Sequence, residues 1–337
     1  MDKRNIRIAV IVGGASPERE VSKQSGKAIY EAVCNLGYNV KIIDPALGAN
    51  QPSHIEDFFT SKDTFSLDTK NYIKVINSDL FNDVDLALIA LHGKWGEDGT
   101  VQSLFELRGI NYSGSGVLGS SLSMDKARSK VMFKHFGVST PKWIRVEKNT
   151  SIQDIADEID ASLNNPSIVK PNDQGSTLGL TKCLSKEDLN DAFELAYTYS
   201  DVILIEEFIE GREIAVGIIG DRILPLLEIV PKHEIYDYEC KYTDGMSEYI
   251  VPAELDQEVE ENLKYQSKLA YNSLGCENYG RVDFRLTKEG EIFCFEVNTL
   301  PGMTNHSLLP KMAKADGIEF EELIEMIITS TYEKTKN

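Results

Sequence analysis

The feature that most restricts the fold lies at the start of the chain. An apolar run at residues 6–12 stops at Gly13-Gly14, apolar residues then recur at helical spacing (Val21, Ala28, Ile29, Ala32, Val33, Leu36), and Gly37 precedes a second strand at 39–43. This order reads as a βαβ unit, in which both strands are parallel and the ligand site lies at their carboxyl ends. A third apolar run at 84–91 leads through His92-Gly93-Lys94-Trp95-Gly96-Glu97-Asp98-Gly99 into a helix at 101–107 that Thr100 can cap. The stretch 45–79 between them is polar and aperiodic, and reads as a surface insertion.

A chain of 337 residues predicts two or three compact units. The first boundary is placed near 115, at the small-residue turn Gly114-Ser115-Gly116, with lobes at 1–115, 116–208 and 209–337. The central lobe carries strands at 167–170, 179–183 and 202–206. The last is strand-rich, at 213–219, 223–229, 280–287 and 291–298, with helices at 256–274 and 320–331. Lys288-Glu289-Gly290 turns its final two strands into a hairpin.

Charge narrows the partners. Against 54 Asp and Glu stand only 35 Lys and Arg, a net charge of −19 that repels phosphate backbones and anionic lipid, so neither nucleic acid nor a membrane surface is expected. Five cysteines without CxxC spacing suit a reducing compartment, and no apolar run is long enough to span a bilayer. The short apolar run at 8–12 is also unlike a signal peptide, so a cytoplasmic protein is expected.

The final hairpin is the most informative chemically. Its turn sets Asp283 nearly opposite Glu296, with Arg281 and Asn298 on the same sheet faces. Two opposed carboxylates repel unless a cation lies between them. Asp, Glu and Asn offer the hard oxygens that hold magnesium beside substrate phosphates, although Arg281 and Arg285 could equally satisfy the pair. The run from Asn298 to Leu308, rich in small and hydroxyl residues, can present amides to an anion. Lys126 and Lys170 are candidate phosphate clamps, Lys170 preceding a flat Gly175-Ser176 loop, or else solvated surface groups. Glu206 and Glu213 flank Phe208, which suits a ribose and an adenine or simply an acidic rim. Gly114 to Gly119 matches GxGxxG literally, but no acidic residue follows about 20 positions later to take a ribose hydroxyl, so dinucleotide binding is not expected.

Taken in order, these pieces resemble the D-alanine–D-alanine ligase family of the ATP-grasp superfamily over almost the whole chain. The resemblance rests on Gly13-Gly14-Ala15-Ser16-Pro17-Glu18-Arg19-Glu20-Val21-Ser22, Leu91-His92-Gly93, Gly96-Glu97-Asp98-Gly99-Thr100, Ser123-Met124-Asp125-Lys126 and Val169-Lys170-Pro171. It continues through Gly175-Ser176, the segment from Tyr236 to Tyr242, Gly280-Arg281-Val282-Asp283 and the run from Glu296 to Leu308. It implies an α/β protein of α+β lobes: an ATP-grasp fold behind an N-terminal doubly wound, Rossmann-like parallel sheet.

The activity it implies is the ATP-dependent joining of two D-alanines through an acyl phosphate, for peptidoglycan. Glu18 would hold the first ammonium beside His92, and Lys241, Tyr242, Ser307 and Leu308 would complete the substrate sites. Lys126, Lys170, Glu206, Phe208, Glu213 and Asn298 would bind ATP, and Asp283, Glu296 and Asn298 two magnesium ions, or manganese in their place. Arg281 and the Gly302 amide would stabilise the oxyanion, while Glu18, Ser176 and Tyr242 latch the active-site loop. A homodimer is also implied.

Overall fold

The computed structural model describes residues 3–63, 65–150, 155, 158, 159, 163, 166–243, 245–304 and 306–334. Three sheets organise them. The first has strand order β2-β1-β3-β4, all parallel, from β1 (Arg7–Ile11), β2 (Asn39–Ile43), β3 (Leu86–Ile89) and β4 (Asn111–Tyr112). Strands β1 and β3 are buried almost throughout, as expected for a sheet covered on both faces. Helix α1 (Arg19–Asn35) follows β1, and its amphipathic face buries Ile29, Ala32 and Val33.

Gly13 makes this corner possible. Its φ is +74°, and a Cβ there would lie 2.2 Å from Asp44 Oδ2. Asp44, just past the end of β2, accepts the Gly14 amide at 3.1 Å and pairs with Arg19 at 2.7 Å.

The stretch 45–79 is largely exposed between residues 49 and 70, as expected of a surface insertion, but it is anchored rather than loose. It forms short turns at Pro45–Leu47 and Ile55–Phe59 and a helix, α2 (Asn71–Ile76). Phe58, Tyr72, Val75 and Ile76 enter the same core as β1 and β3. Asp63 accepts Arg19 and Lys23, and the Tyr72 hydroxyl accepts the Ala15 amide at 3.0 Å, so the stretch pins the start of α1. Turns this short carry no periodicity to read.

Thr100 does not cap the next helix. It is the first residue of α3 (Thr100–Arg108), and Asp98 accepts its amide at 3.0 Å. Helices α4 (Val117–Met124) and α5 (Lys126–Phe136) follow the Gly114 turn. That turn is a packing corner: the Gly114 amide donates to Asn278 Oδ1 at 2.8 Å.

The second sheet is antiparallel, β5-β8-β6-β7, from β5 (Trp143–Glu147), β6 (Ser167–Pro171), β7 (Thr181–Cys183) and β8 (Val202–Glu207), with α6 (Leu189–Tyr197) packed on it. The third runs β12-β11-β9-β13-β14 with β10 beside β9: β9 (Arg212–Ile219), β10 (Arg222–Ile223), β11 (Leu227–Pro231), β12 (Ser247–Ile250), β13 (Tyr279–Leu286) and β14 (Ile292–Asn298). The single strand expected at 223–229 is therefore two, separated around Pro225, which has no amide to give a ladder. Between β11 and β12 lies a short helix, α7 (Tyr238–Tyr242), and between β12 and β13 the long α8 (Gln257–Ser273). After β14, α9 (Leu308–Ala315) and α10 (Phe320–Lys334) return to the first sheet. Leu309, Met312, Leu323, Ile324, Ile327 and Ile328 share its core, so the chain's far end brings the residues after β14 against α1.

Candidate active site

The three sheets enclose a cavity of roughly 680 Å³, the size of a site for small organic ligands. It adjoins a narrower cleft of about 130 Å³. Lys126, Gly175, Ser176, Tyr236, Lys241, Arg281 and Glu296 line both.

The hairpin β13–β14 forms one wall. Asp283 pairs directly with Glu296 and Arg281 with Asn298, so all four side chains stand on one face. Arg281 grips Asp283 through two bonds of 2.7 Å. Arg285 pairs instead with Glu213 at 3.0 Å, leaving Glu296 to Lys126 at 3.8 Å. Burial opposes the Glu296 charge, but Lys126, Lys241, Lys170 and Arg281 together hold its carboxyl well below the usual range. Burial pushes Asp283 up, against the pull of Arg281. Asn298 Oδ1 accepts the Leu300 amide at 3.1 Å and retains a second lone pair. Hard oxygens on one face, with the Glu296 carboxylate a quarter exposed to the cavity, suit a magnesium ion.

The narrow cleft carries the lysines. Lys170, at the end of β6, meets Glu206 at 2.8 Å, and the fully buried Lys130 meets the same carboxylate at 3.1 Å. Burial would raise the Glu206 pKa, but the two ammonium groups hold it below the usual value. Glu206 is thus a bridge between two cations rather than part of an open acidic rim. Lys126 donates to the Gln174 carbonyl at 2.6 Å, and burial lowers its pKa. Phe208 lies under the Lys182 ammonium, 3.9 Å from the ring centre, and lines the cleft with Ile168, Leu178, Leu180, Ile209 and Phe295. These apolar walls suit a flat heterocycle.

The opposite wall belongs to the first sheet. Glu18, buried at the start of α1, accepts a short hydrogen bond from Ser176, which joins the first sheet to the β6–β7 loop. Its other oxygen, Oε2, is buried without a hydrogen-bond partner among the described residues. Burial raises the Glu18 pKa, opposed by Ser176, Lys241 and Lys126. Gly93 leaves room for it: φ is +70°, and a Cβ would lie 2.4 Å from Glu18 Oε2.

His92 is fixed by a residue that sequence reading missed. Ser25, on α1, lies 3.1 Å from His92 Nε2, and its oxygen accepts the Met303 amide at 3.2 Å. Which of the two donates in the Ser25–His92 pair follows the ring's tautomer. Burial, and then Arg281, lower the His92 pKa to about 4, so the ring is neutral. Ser25 thus ties α1 to the residues after β14. Its position on the helical face of Ser22 and Ile29 is ordinary, and no sequence signal marks it. Lys130 was missed likewise, because one lysine in a helix reads as surface. Glu97, which accepts the Gly93 amide at 2.6 Å, is pushed well above the usual carboxylate range, by burial first and then by Glu18.

Gly302 lines the cavity beside Ser307, whose hydroxyl accepts the Thr304 amide at 2.9 Å. Ser307, the residue before α9, and Leu308, its first residue, also face the cavity, so the helix N-terminus lies there. Lys241 lines the cavity from α7. The side chain of Tyr242 lies outside the described residues.

Comparisons with known proteins decide the family. The model of the "D-ala D-ala ligase N-terminus" matches residues 7–115, and that of the "D-ala D-ala ligase C-terminus" residues 132–329. The chain belongs to the D-alanine–D-alanine ligase family. Among its ligase relatives, the D-alanine–D-alanine ligase of Geobacter sulfurreducens is 41% identical over 99% of this chain and 96% of its own length. That of Halalkalibacterium halodurans is 41% identical over 98% of this chain and the whole of its own. Among solved structures, the Bacillus anthracis ligase complexed with ATP superposes with a TM-score of 0.79 at 33% identity, covering 98% of this chain and 99% of that one. The VanG D-Ala:D-Ser ligase of Enterococcus faecalis superposes with a TM-score of 0.80 at 32% identity, over 97% of this chain and all of its own. The ligase fold here is therefore ATP-grasp behind a parallel N-terminal sheet. No helix among the described residues is long and apolar enough to cross a membrane.

Proposed function

We propose that this ligase joins two D-alanines into D-alanyl-D-alanine, with ATP cleaved to ADP and phosphate, as a peptidoglycan precursor. The observation that carries the reading is the buried Glu18 Oε2 beside the cavity, without a partner among the described residues, a carboxylate oxygen that an amino-acid ammonium would satisfy.

The chemistry asks for activation, because a carboxylate is a poor electrophile. The γ-phosphoryl group of ATP passes to the carboxylate oxygen of the first D-alanine. The amine of the second then attacks the carbonyl carbon, and the tetrahedral centre collapses by breaking the carbon–oxygen bond to phosphate. Glu18, oriented by Ser176, holds the first ammonium, with neutral His92 beside it. Arg281 and the Gly302 amide face the oxyanion, and one such donor is worth about 100-fold or more in rate. The start of α9, at Ser307 and Leu308, receives the second carboxylate. Leu308 is apolar there and favours the methyl of D-alanine over the hydroxymethyl of D-serine.

The nucleotide occupies the narrow cleft. Phe208 and its apolar neighbours flank the base, Glu206 and Glu213 accept from base and ribose, and Lys126 and Lys170 meet the phosphates. Asp283, Glu296 and Asn298 would hold two magnesium ions, or manganese, which would supply positive charge to offset the repulsion between anionic reactants. The segment of Lys241 and Tyr242 closes over the site and excludes water, which would otherwise hydrolyse the activated acyl group. Lobes at 1–115, 116–208 and 209–337, a homodimer and a cytoplasmic setting complete the reading.

The test incubates the protein with ATP, magnesium and D-alanine and counts ADP, phosphate and dipeptide. Equal yields are expected, with D-serine, D-lactate and L-alanine poor second substrates. Phosphate release without dipeptide, or faster turnover with another acceptor, overturns it.

A further inference from the structure

Apart from the residues assigned to the reaction, His233, Asp237 and Cys240 bring three metal-type donors together. One imidazole nitrogen, one carboxylate oxygen and the thiol sulfur all lie within 4.8 Å of one another. We propose that these three side chains form a second metal site, for a borderline-soft divalent cation of the zinc class, on the segment joining β11 to β12.

The local structure builds the site in advance. Asp237 caps α7, its Oδ1 accepting the Cys240 amide at 2.9 Å, which leaves Oδ2 facing His233 Nδ1 at 2.7 Å. Cys240 is held from its other side, its carbonyl accepting the Ser247 hydroxyl at 2.8 Å. The thiol residue is only 1% exposed, while the His233 and Asp237 side chains are 39% and 33% exposed. A metal can therefore enter from solvent and meet a sheltered sulfur.

The donor set selects its ion. A thiolate and an imidazole favour zinc-like cations, whereas magnesium prefers oxygen, so this site and the Asp283–Glu296 face take different metals. Neutral imidazole, carboxylate and thiolate together balance a dication, and three protein ligands leave a fourth position for water. As the metal–sulfur bond forms, the thiol proton passes to solvent.

The position gives the site a consequence. Between His233 and Cys240 the chain carries Tyr236, whose carbonyl accepts the Thr177 hydroxyl at 3.1 Å, and immediately after it comes Lys241. Both residues line the cavity and the cleft. An ion tying His233 to Cys240 staples the turn that presents them.

The test titrates the full chain, free of nucleotide and magnesium, with cobalt(II) and follows the thiolate-to-cobalt charge-transfer absorption. One equivalent is expected to saturate the band, zinc to displace it, and magnesium to leave it unchanged. Cys240→Ala abolishes the band, and His233→Ala, at a partly exposed position, weakens binding at least about 10-fold. No charge-transfer band, or a band of equal strength in Cys240→Ala that reports another thiol such as exposed Cys34, overturns the proposal.

Discussion

Replacing Ser25 by alanine tests whether α1 positions the oxyanion residues. The change removes one buried oxygen that accepts the Met303 amide at 3.2 Å and lies 3.1 Å from His92 Nε2. Each buried group left without its partner costs about 1–3 kcal/mol, so the native arrangement loses roughly 2–6 kcal/mol if nothing relaxes. The residues after β14 can relieve part of this by shifting away from α1, and Gly302 lies in that stretch. A displaced amide no longer meets the oxyanion, a loss worth about 100-fold. The expected result is a fall in kcat of about 10- to 100-fold, with KM for ATP unchanged because Ser25 lies outside the nucleotide cleft. Steady-state kinetics with ATP and D-alanine varied separately read both constants, and circular dichroism reports folding. A folded variant with kcat within about twofold of the native value refutes the reasoning, since that corresponds to less than about 0.5 kcal/mol.

Three further outcomes follow from the geometry. Lys130→Met leaves Glu206 with Lys170 alone in a fully buried setting; breaking such a cluster costs about 3–5 kcal/mol, read as a lower midpoint in urea and a raised KM for ATP. Gly93→Ala places a Cβ 2.4 Å from Glu18 Oε2 and is expected to raise KM for D-alanine at least about 10-fold, equivalent to about 1.4 kcal/mol, with little change for ATP. Acidification acts through His92, whose folded pKa of about 4 lies below about 6.5 in an unfolded chain. The unfolded state binds more protons between these values, so this contribution is present above pH 6.5 and is lost as pH falls towards 4. It amounts to about 2 kcal/mol between pH 7 and pH 5 in urea unfolding, and His92→Gln is expected to remove it.

How much of this was legible in the sequence depended on how regular each signal was. The βαβ start could be read because its strands are buried runs and its helix is strongly amphipathic. The β13–β14 register can be read because a short turn fixes it, which sets Asp283 beside Glu296. Strand β5 was missed although its burial alternates along Trp143–Glu147, because Arg145 and Glu147 make the run look polar. The stretch 45–79 reads correctly as surface, but its anchoring is not legible, because that order comes from contacts distant in sequence, Asp63 with Arg19 and Tyr72 with Ala15. Within the site, carboxylates and lysines next to glycine-rich turns stood out. Ser25 and Lys130 did not, since their roles arise only when helices α1 and α5 meet other elements.

The central claim is that the first D-alanine's carboxylate takes the phosphoryl group, and oxygen tracing tests it most directly. D-alanine labelled with oxygen-18 in its carboxylate is incubated with ATP, magnesium and the protein, and the released phosphate is examined by mass spectrometry. Transfer of one labelled oxygen into phosphate for each dipeptide formed is the predicted result. Phosphate released without label while dipeptide accumulates would contradict the account.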